Sequence, residues 1–383
     1  MRIAVLKETD ANEGRVAITP ETVRKFIALG GEVVVESGAG LKSGLNDSDF
    51  VASGAHVESS RQAALAGADL VLAVRRPHAG DLGSVAKGAA IVSIMDPYGA
   101  DVALAALAHA GVCAFAMELM PRITRAQVMD VLSSQANLAG YRAVVDAAEQ
   151  YGRALPMMMT AAGTVPATKV FVMGVGVAGL QAIATARRLG AIVTATDVRP
   201  ATKEQVESLG AKFLAVEDEE FLQAQTTGGY AKEMSKDYQA KQAALTASHI
   251  AKQDIVITTA LIPGRPAPQL VSQEMVASMR AGSVIVDLAV ERGGNCALSR
   301  PGEVVTTDNG VKIVGYLNVA GRIAATASAL YARNLYAFVE TLVDKPTKAL
   351  APNWDDELVK ATLLTRDGAI VHAAFQPAAA AAV

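Results

Sequence analysis

Short apolar runs rich in branched residues recur along this chain, and segments with the spacing of helices lie between them. Strands are predicted near residues 3–6, 32–36, 69–74, 89–94, 112–116, 170–173, 191–196, 212–216, 255–258, 283–287 and 312–315. Helices are predicted near residues 21–29, 102–110, 125–151, 180–189 and 323–343. Strands that alternate with helices are typical of parallel sheets covered by helices on both faces.

This alternation predicts an α/β chain with two doubly wound, Rossmann-like domains whose parallel sheets are separated by a cleft. We expect a discontinuous N-terminal domain of residues 1–134 plus 321–383, completed by the helix near 323–343. Residues 135–320 are expected to form the second domain. The alanine-rich residues 374–383 are predicted to be a frayed tail.

The most specific short motif is a glycine-rich turn at residues 174–179. Its sequence GVGVAG follows a predicted strand and opens a predicted helix, and Asp197 ends the next strand. Glycines here allow a tight turn, admit a pyrophosphate against the backbone and let the helix pack closely. An acid about 20 residues beyond the first glycine accepts from ribose hydroxyls and opposes a 2′-phosphate. The motif predicts a dinucleotide site that prefers NAD, and the alternative is that the glycines serve helix packing alone.

Composition narrows the function further. The 383 residues carry a formal net charge of −3, which provides no basic surface for nucleic acid. Two cysteines and five histidines show no metal-ligand spacing, so no metal site is predicted. The longest apolar stretch, 102–117, is interrupted and shorter than the ~20 residues that cross a bilayer. The chain starts directly in a strand without a signal peptide, and we expect it to be cytoplasmic.

A second candidate segment covers residues 122–135. If it is helical, polar side chains recur on one face at Gln127, Asp130 and Ser133 or Ser134, with Arg122 just ahead. The alternative is a capping box made by Thr124 and Gln127, with Asp130 facing water. Spacing alone leaves both interpretations open.

Two further regions are candidates because of their position. Residues 225–234 carry paired glycines beside Tyr230, which suits either a flap over a cofactor or an ordinary solvated loop. Residues 258–264 and 287–295 follow strands of the second domain, where ligands of such sheets bind, although Asp287 and Glu291 could instead cap turns. The candidate cofactor-binding residues are therefore Gly174, Val175, Gly176, Val177, Ala178, Gly179, Asp197, Val198, Arg199, Gly229, Ala260 and Leu261. Arg199 could pair with a 2′-phosphate, line the adenine or lie in solvent.

Four longer strings make the chain resemble one family. They are MELMPRI at 117–123, SSQANLAGYR at 133–142, MMMTAAGTVP at 157–166 and GGYAKEM at 228–234. Over nearly its whole length the chain resembles the NAD(H)-binding component of proton-translocating NAD(P) transhydrogenases. It is similar to the form in which a separate first alpha subunit ends before the membrane helices.

The resemblance implies a Re/Si-specific transhydrogenase that passes a hydride directly between NADH and NADP⁺ held by a partner subunit, coupled to proton translocation. It implies a homodimer that works with an NADP(H)-binding beta subunit and a membrane-spanning alpha component, peripheral on the cytoplasmic face of the inner membrane. Arg122, Gln127, Asp130 and Ser133 would surround the nicotinamide, with Tyr230 on the flap. Hydride transfer between two nicotinamides needs no general base, which agrees with the lack of a catalytic histidine motif.

The alternative enzyme is a soluble NAD-dependent alanine or amino-acid dehydrogenase, which the chain resembles at residues 15–17 and 293–294. That family uses a lysine and a histidine from the first domain, and the corresponding segments 72–77 and 94–98 contain neither. Glu291 stands where that family has an active-site aspartate. A non-catalytic NAD-binding regulatory protein is a third class, but it has little need for the polar stripe and the flap.

Overall fold

The computed structural model of the protein describes residues 1–223 and 234–376. The chain divides into two compact units, Met1–Gln135 with Gly321–Val383 as unit 1 and Ala136–Ala320 as unit 2. The boundary between them falls inside the long helix α5 (Val131–Tyr151). The two units are described separately below.

Within the described ranges, unit 1 is built on an eight-stranded sheet. Numbered along the whole chain, its strands are β1 (Arg2–Val5), β2 (Glu32–Glu36), β3 (His56–Glu58), β4 (Leu70–Arg75), β5 (Ala90–Ile94), β6 (Cys113–Ala116), β18 (Leu363–Arg366) and β19 (Ala369–Ile370). Their order is β19-β18-β6-β5-β4-β1-β2-β3. Strands β1 to β6 pair in parallel and follow the doubly wound order 3-2-1-4-5-6, while β18 and β19 are antiparallel additions at one edge.

Helices surround this first sheet because its strands are buried on both faces. They are α1 (Pro20–Ala28), α2 (Asp47–Ala52), α3 (Arg61–Leu65), α4 (Asp101–His109), α11 (Ala324–Leu342) and α12 (Glu357–Thr362), with a small hairpin of β16 (Val343–Asp344) and β17 (Ala349–Leu350). The core of unit 1 includes α11. Phe338 of α11 packs edge-to-face on Phe115, and the Tyr331 hydroxyl donates to the Ala73 carbonyl at 3.0 Å. The returning C-terminal segment is thus part of unit 1.

Unit 2 contains the glycine-rich motif. Its strands in the described ranges are β7 (Met158–Thr160), β8 (Gly163–Val165), β9 (Lys169–Met173), β10 (Ile192–Thr196), β11 (Lys212–Phe213), β12 (Ile255–Thr258), β13 (Val284–Asp287), β14 (Val304–Thr306) and β15 (Lys312–Val314). The helices of that part of the chain are α6 (Val177–Arg188), α7 (Thr202–Ser208), α8 (Glu219–Leu222), α9 (Lys236–Ile250) and α10 (Gln273–Ser278). The main sheet has the order β11-β10-β9-β12-β13-β15-β14, in which only the edge strand β14 is antiparallel among the described strands, and β7 and β8 form a separate hairpin.

The predicted fold class is confirmed, because both units are doubly wound α/β structures with mainly parallel sheets. The helix predicted near 125–151 is wrong at its start. A 3₁₀ helix (Thr124–Met129) comes first, and α5 begins only at Val131, after Asp130 adopts an extended conformation. No helix in residues 1–223 and 234–376 is long and apolar enough to cross a membrane.

Candidate dinucleotide-binding site

The strand register of unit 2 brings the predicted nucleotide motifs to one edge of its sheet. Met173 at the end of β9 pairs with Thr196 of β10 on one side and Thr258 of β12 on the other. The residues that follow these strands, Gly174, Asp197 and Thr259, therefore lie at the carboxyl edge. This is also where the strand order reverses between β9 and β12, the usual ligand position in such sheets.

Three glycines in the turn after β9 have different physical reasons. Gly174 has φ +99°, and a Cβ there would lie 2.6 Å from Thr259 Oγ1. At Gly179 a Cβ would lie 1.9 Å from the Gly174 carbonyl oxygen, so only glycine lets α6 start this close to the turn. At Gly176, by contrast, a Cβ meets none of the described atoms beyond its chain neighbours within 4 Å. The first and third glycines are required by packing, whereas the second borders open space.

Gly176 is also the N-cap residue of α6, and no side chain caps this end of the helix. The first N–H groups of an α-helix have no partner within the helix and carry its positive dipole end. Val177, Ala178 and Gly179 supply these groups next to the open space at Gly176. Such an arrangement suits an anionic group such as a pyrophosphate.

Gly140 of α5 accounts for one glycine of the motif at 133–142. A Cβ at this position would lie 2.0 Å from the carbonyl oxygen of Ala178. Helix α5 therefore approaches the first turn of α6 at a distance that only glycine allows. This glycine holds the phosphate-side helix from behind.

Asp197 is almost fully buried and accepts four hydrogen bonds from described residues. Its Oδ2 accepts from the Val175 amide at 2.7 Å, and its Oδ1 accepts from the Arg199 amide at 2.9 Å. The Arg199 guanidinium donates to both oxygens at 2.9 Å and reaches the Val175 carbonyl at 3.1 Å. The hydrogen bond to Asp197 is the main reason that the pKa of Arg199 is raised. Of the three alternatives left open for Arg199, the structure shows none, since its guanidinium lies on Asp197.

Val198 is exposed beside this pair, and the exposed Leu261 follows Ala260 in the loop after β12. Asp287 is buried and accepts hydrogen bonds from the backbone of the loop after β13, so it caps that turn as the alternative proposed. Glu291 accepts from the Asn318 amide at 3.1 Å. Tyr230 and Gly229 lie outside the described residues.

The polar stripe predicted on one helix face is built differently in unit 1. Asp130 precedes α5, and its carboxylate accepts from the Ser133 amide at 2.8 Å and the Ser133 hydroxyl at 2.5 Å. It is therefore Asp130 with Ser133 that caps a helix, and the alternative box of Thr124 and Gln127 is wrong, because the structure has no side-chain cap at the 3₁₀ helix. Gln127 lies on that 3₁₀ helix and is exposed, as is Arg122.

The structure also separates the two serines that the spacing left equivalent. The Ser134 hydroxyl donates to Asn334 Oδ1 at 2.7 Å, and Asn334 in turn donates to the Val128 carbonyl at 2.8 Å. Ser134 is thus engaged in packing α5 on α11. Ser133 faces Asp130 and belongs to the candidate group.

A buried charge cluster occupies the loop after β1 in unit 1. The Glu13 carboxylate binds Arg15 through two hydrogen bonds of 2.7 Å and also accepts from Arg75 Nε at 2.8 Å, while Arg15 reaches Gln135 at 2.9 Å. Burial works to raise the pKa of Glu13, but the hydrogen bond and charge of Arg15, with the charge of Arg75, lower it to about 2. Glu8 accepts from the Val74 amide at 2.6 Å, and burial raises its pKa to about 7, helped by the charge of Glu13.

Glu8 makes the stability of unit 1 depend on pH. Because its folded-state pKa of about 7 lies above the ordinary value of 4.5, its contribution is complete below about 4.5 and is lost as pH rises through 7. We expect Glu8→Gln, which removes this titration, to gain thermal stability relative to the unmutated chain between pH 5 and pH 8. Thermal unfolding at both values, with the exposed Glu32→Gln as control, measures this. A gap between Glu8→Gln and the unmutated chain that does not change with pH would show that Glu8 titrates normally.

Two Rossmann-type units, a glycine turn against a helix N-terminus and an acid after the next strand define a two-domain Rossmann protein. The chain belongs to the alanine dehydrogenase/PNT family, whose N-terminal domain matches residues 4–139 and whose C-terminal domain matches residues 143–373. The resemblance inferred from the sequence motifs is thereby confirmed. The homologues support an oxidoreductase role.

Individual relatives agree with this assignment. The chain is 55% identical over 380 residues to a protein of Rhodospirillum rubrum, the first of the separate pieces of its NAD(P) transhydrogenase subunit alpha, covering 98% of this chain and 99% of that protein. It is similar to the crystal structure of transhydrogenase from Sinorhizobium meliloti, with a TM-score of 0.89, 62% identity, and coverage of 97% and 100%. An L-alanine dehydrogenase structure has a TM-score of 0.81 with only 26% identity, covering 98% of each chain.

Proposed function

We propose that this chain is the NAD(H)-binding component of a proton-translocating NAD(P) transhydrogenase. In this function a hydride passes directly between NADH on this chain and NADP⁺ on a partner subunit. The observation that carries the proposal is the open space at Gly176, bordered by the uncapped N-terminus of α6 and followed along the sheet edge by Asp197. The names of the relatives supply the reaction, and this edge supplies the place for its dinucleotide.

The chemistry of this edge fits NAD(H). The amides of Val177, Ala178 and Gly179 would donate to the pyrophosphate, and only backbone lies at Gly176 where the phosphates would approach. The Asp197 carboxylate would accept from the adenine ribose hydroxyls and repel a 2′-phosphate. Ala260, Leu261 and Val198 would line the nucleotide, and Gly229 and Tyr230 would cover it.

We assign Arg122, Gln127, Asp130 and Ser133 to the nicotinamide end. Asp130 and Ser133 form a fixed hydrogen-bonded pair, and the exposed Gln127 amide and Arg122 guanidinium add donors for a carboxamide. Their task is to orient the ring and exclude water, because hydride transfer between two nicotinamides requires proximity and alignment rather than an acid or base.

Two other functions are less well supported. For an amino-acid dehydrogenase, residues 72–77 and 94–98 lack the expected lysine and histidine, and Arg75 is bound to Glu13. A purely regulatory NAD-binding protein would not explain the paired Asp130 and Ser133. We therefore keep transhydrogenation as the proposed activity.

The proposal includes partners that complete the reaction. The chain would act as a homodimer with an NADP(H)-binding beta subunit and a membrane-spanning alpha component, which places it peripherally on the cytoplasmic face of the inner membrane. In this setting its reaction regenerates NADPH and is coupled to proton transport. The experiment is to mix the purified chain with a separately made NADP(H)-binding subunit and assay hydride exchange.

We expect no reduction of NAD⁺ by L-alanine and no exchange by the chain alone, for want of a second nucleotide site. Exchange should appear when the NADP(H)-binding subunit is added. Alanine-dependent formation of NADH by the isolated chain would overturn the proposal in favour of the dehydrogenase.

The Asp197 and Arg199 pair gives a prediction for cofactor choice. A carboxylate offers about four acceptor positions, and the described hydrogen bonds of Asp197 already number four. Ribose hydroxyls can therefore bind only where the Arg199 guanidinium now donates. Asp197→Ala should weaken NADH binding by about 1–3 kcal/mol, whereas Arg199→Ala should bind NADH at least as tightly as the unmutated chain.

Isothermal titration with NADH and NADPH measures both effects. The unmutated chain should prefer NADH. Equal affinities for the two cofactors would refute the selectivity assigned to Asp197, and a loss in Arg199→Ala as large as that in Asp197→Ala would refute the competition.

A further inference from the structure

Asn295 connects the loops that follow β12 and β13. Its side chain is fully buried, and its Oδ1 accepts from the Ala260 amide at 3.0 Å. Its Nδ2 donates to the Ala260 carbonyl at 2.9 Å and to the Pro268 carbonyl at 2.8 Å. One amide side chain thus binds both backbone polar groups of Ala260, as a neighbouring strand would.

The position of Asn295 is set by Asp287 at the end of β13. This buried carboxylate accepts from the Asn295 amide at 2.8 Å and the Cys296 amide at 3.0 Å, and from the hydroxyls of Thr258 and Ser299 at 3.1 and 2.7 Å. The two glycines just before Asn295 have φ of +97° and +81°, and a Cβ on the second would lie 2.9 Å from Asp287 Oδ2. The loop is therefore wound tightly around one carboxylate, and this winding aims Asn295 at Ala260.

Ala260 lies against the glycine turn. Its amide nitrogen is 3.2 Å from the position that a Cβ on Gly174 would take, and the Thr259 hydroxyl donates to the Gly174 carbonyl at 2.9 Å. Beyond Ala260, residues 261–266 are exposed. Asn295 therefore holds the last fixed point of this loop, directly beside the turn at 174–179.

We propose that Asn295 is a positioning residue of the nucleotide site, which acts by fixing the backbone at Ala260 and Leu261 against Gly174. This inference rests on the proposed function in that NAD(H) lies along this edge. Asn295 is not in the nucleotide's path, since its polar atoms are all directed to protein backbone. Without it, the Ala260 amide and carbonyl would lose their partners, and the loop would be free to leave the position that nucleotide binding requires.

The test compares two asparagines that bridge backbone groups in unit 2. Asn309 donates to the carbonyls of Val276, Ala277 and Met279 at 3.1–3.2 Å, in the turn between β14 and β15. That turn precedes β15, at the opposite edge from the glycine turn. Asn309→Ala is therefore a control for the general cost of losing such a bridge.

We expect Asn295→Ala to bind NADH about 10-fold more weakly in isothermal titration, and Asn309→Ala to bind it normally although its unfolding temperature falls. Asn295→Asp should be as weak or weaker, because it places a carboxylate oxygen against the Ala260 and Pro268 carbonyls. Unchanged NADH affinity in folded Asn295→Ala, or an equal loss in Asn309→Ala, would overturn the inference.

Hydrogen exchange on the unmutated chain gives a second measurement that does not depend on a variant folding. NADH should slow exchange at the Ala260 and Leu261 amides, and unchanged exchange there at saturating NADH would overturn the role of this loop. Failure of the unmutated chain to bind NADH at all would instead refute the proposed function, and with it this inference.

Discussion

Gly176→Ala is expected to fold normally and to lose most of the affinity of the chain for NADH. Its φ of −81° and ψ of −166° suit alanine, and the added methyl group would meet no described atom within 4 Å beyond its chain neighbours. If a pyrophosphate lies in that space, the methyl group overlaps it. Overpacking of this kind costs about 1–3 kcal/mol, which corresponds to a loss of up to about 100-fold in affinity.

Two other glycines provide the comparison. Gly80→Ala also meets no described atom within 4 Å but lies in unit 1, so it should change neither stability nor binding. Gly179→Ala forces a contact of 1.9 Å with the Gly174 carbonyl and should lower the unfolding temperature itself. NADH binding by Gly176→Ala at the unmutated affinity would mean that the space at α6 is not where the phosphates bind.

Gln127→Asn is expected to slow hydride transfer far more than it weakens NADH binding. The substitution keeps the amide and shortens its reach by one methylene, and misplacement of reacting groups by about 1 Å can cost 10²-fold in rate. Gln127 is exposed on its 3₁₀ helix, so the loss of one methylene should not disturb the core. Stopped-flow transfer to NADP⁺ on the partner subunit measures the rate.

Gln62→Asn makes the same chemical change at an exposed position of α3 and serves as the control. Both variants should bind NADH within a few-fold of the unmutated chain. Transfer by Gln127→Asn at the unmutated rate would remove Gln127 from the nicotinamide site.

Much of the fold was predictable because its signals are local. The buried strands at 32–36 and 255–258 were predicted with the bounds that the structure gives, since continuous branched apolar runs allow few alternatives. The strands missed, β3, β14, β18 and β19, are short and partly exposed or lie at sheet edges, where apolar content is low. Their pairing depends on neighbours distant in the sequence.

The candidate site shows the same division. The spacing of Gly174, Gly179 and Asp197 follows from a βαβ unit and was readable from the sequence. The hydrogen bonds of Arg199 to Asp197 and of Asn295 to Ala260 depend on side-chain directions and on separate loops, which spacing does not determine. The helix start near Asp130 was missed because two capping patterns overlap there, and only the contacts of Asp130 with Ser133 decide between them.

Direct hydride transfer can be followed by isotope. The chain is mixed with the NADP(H)-binding subunit, NADP⁺ and NADH that carries deuterium at the transferring C4 position, and the NADPH formed is analysed by mass spectrometry. The proposed function predicts that each NADPH formed retains the deuterium, because the hydride passes between the two nicotinamides without exchange with water. NADPH without deuterium, or no NADPH in a mixture where both subunits bind their nucleotides, would contradict it.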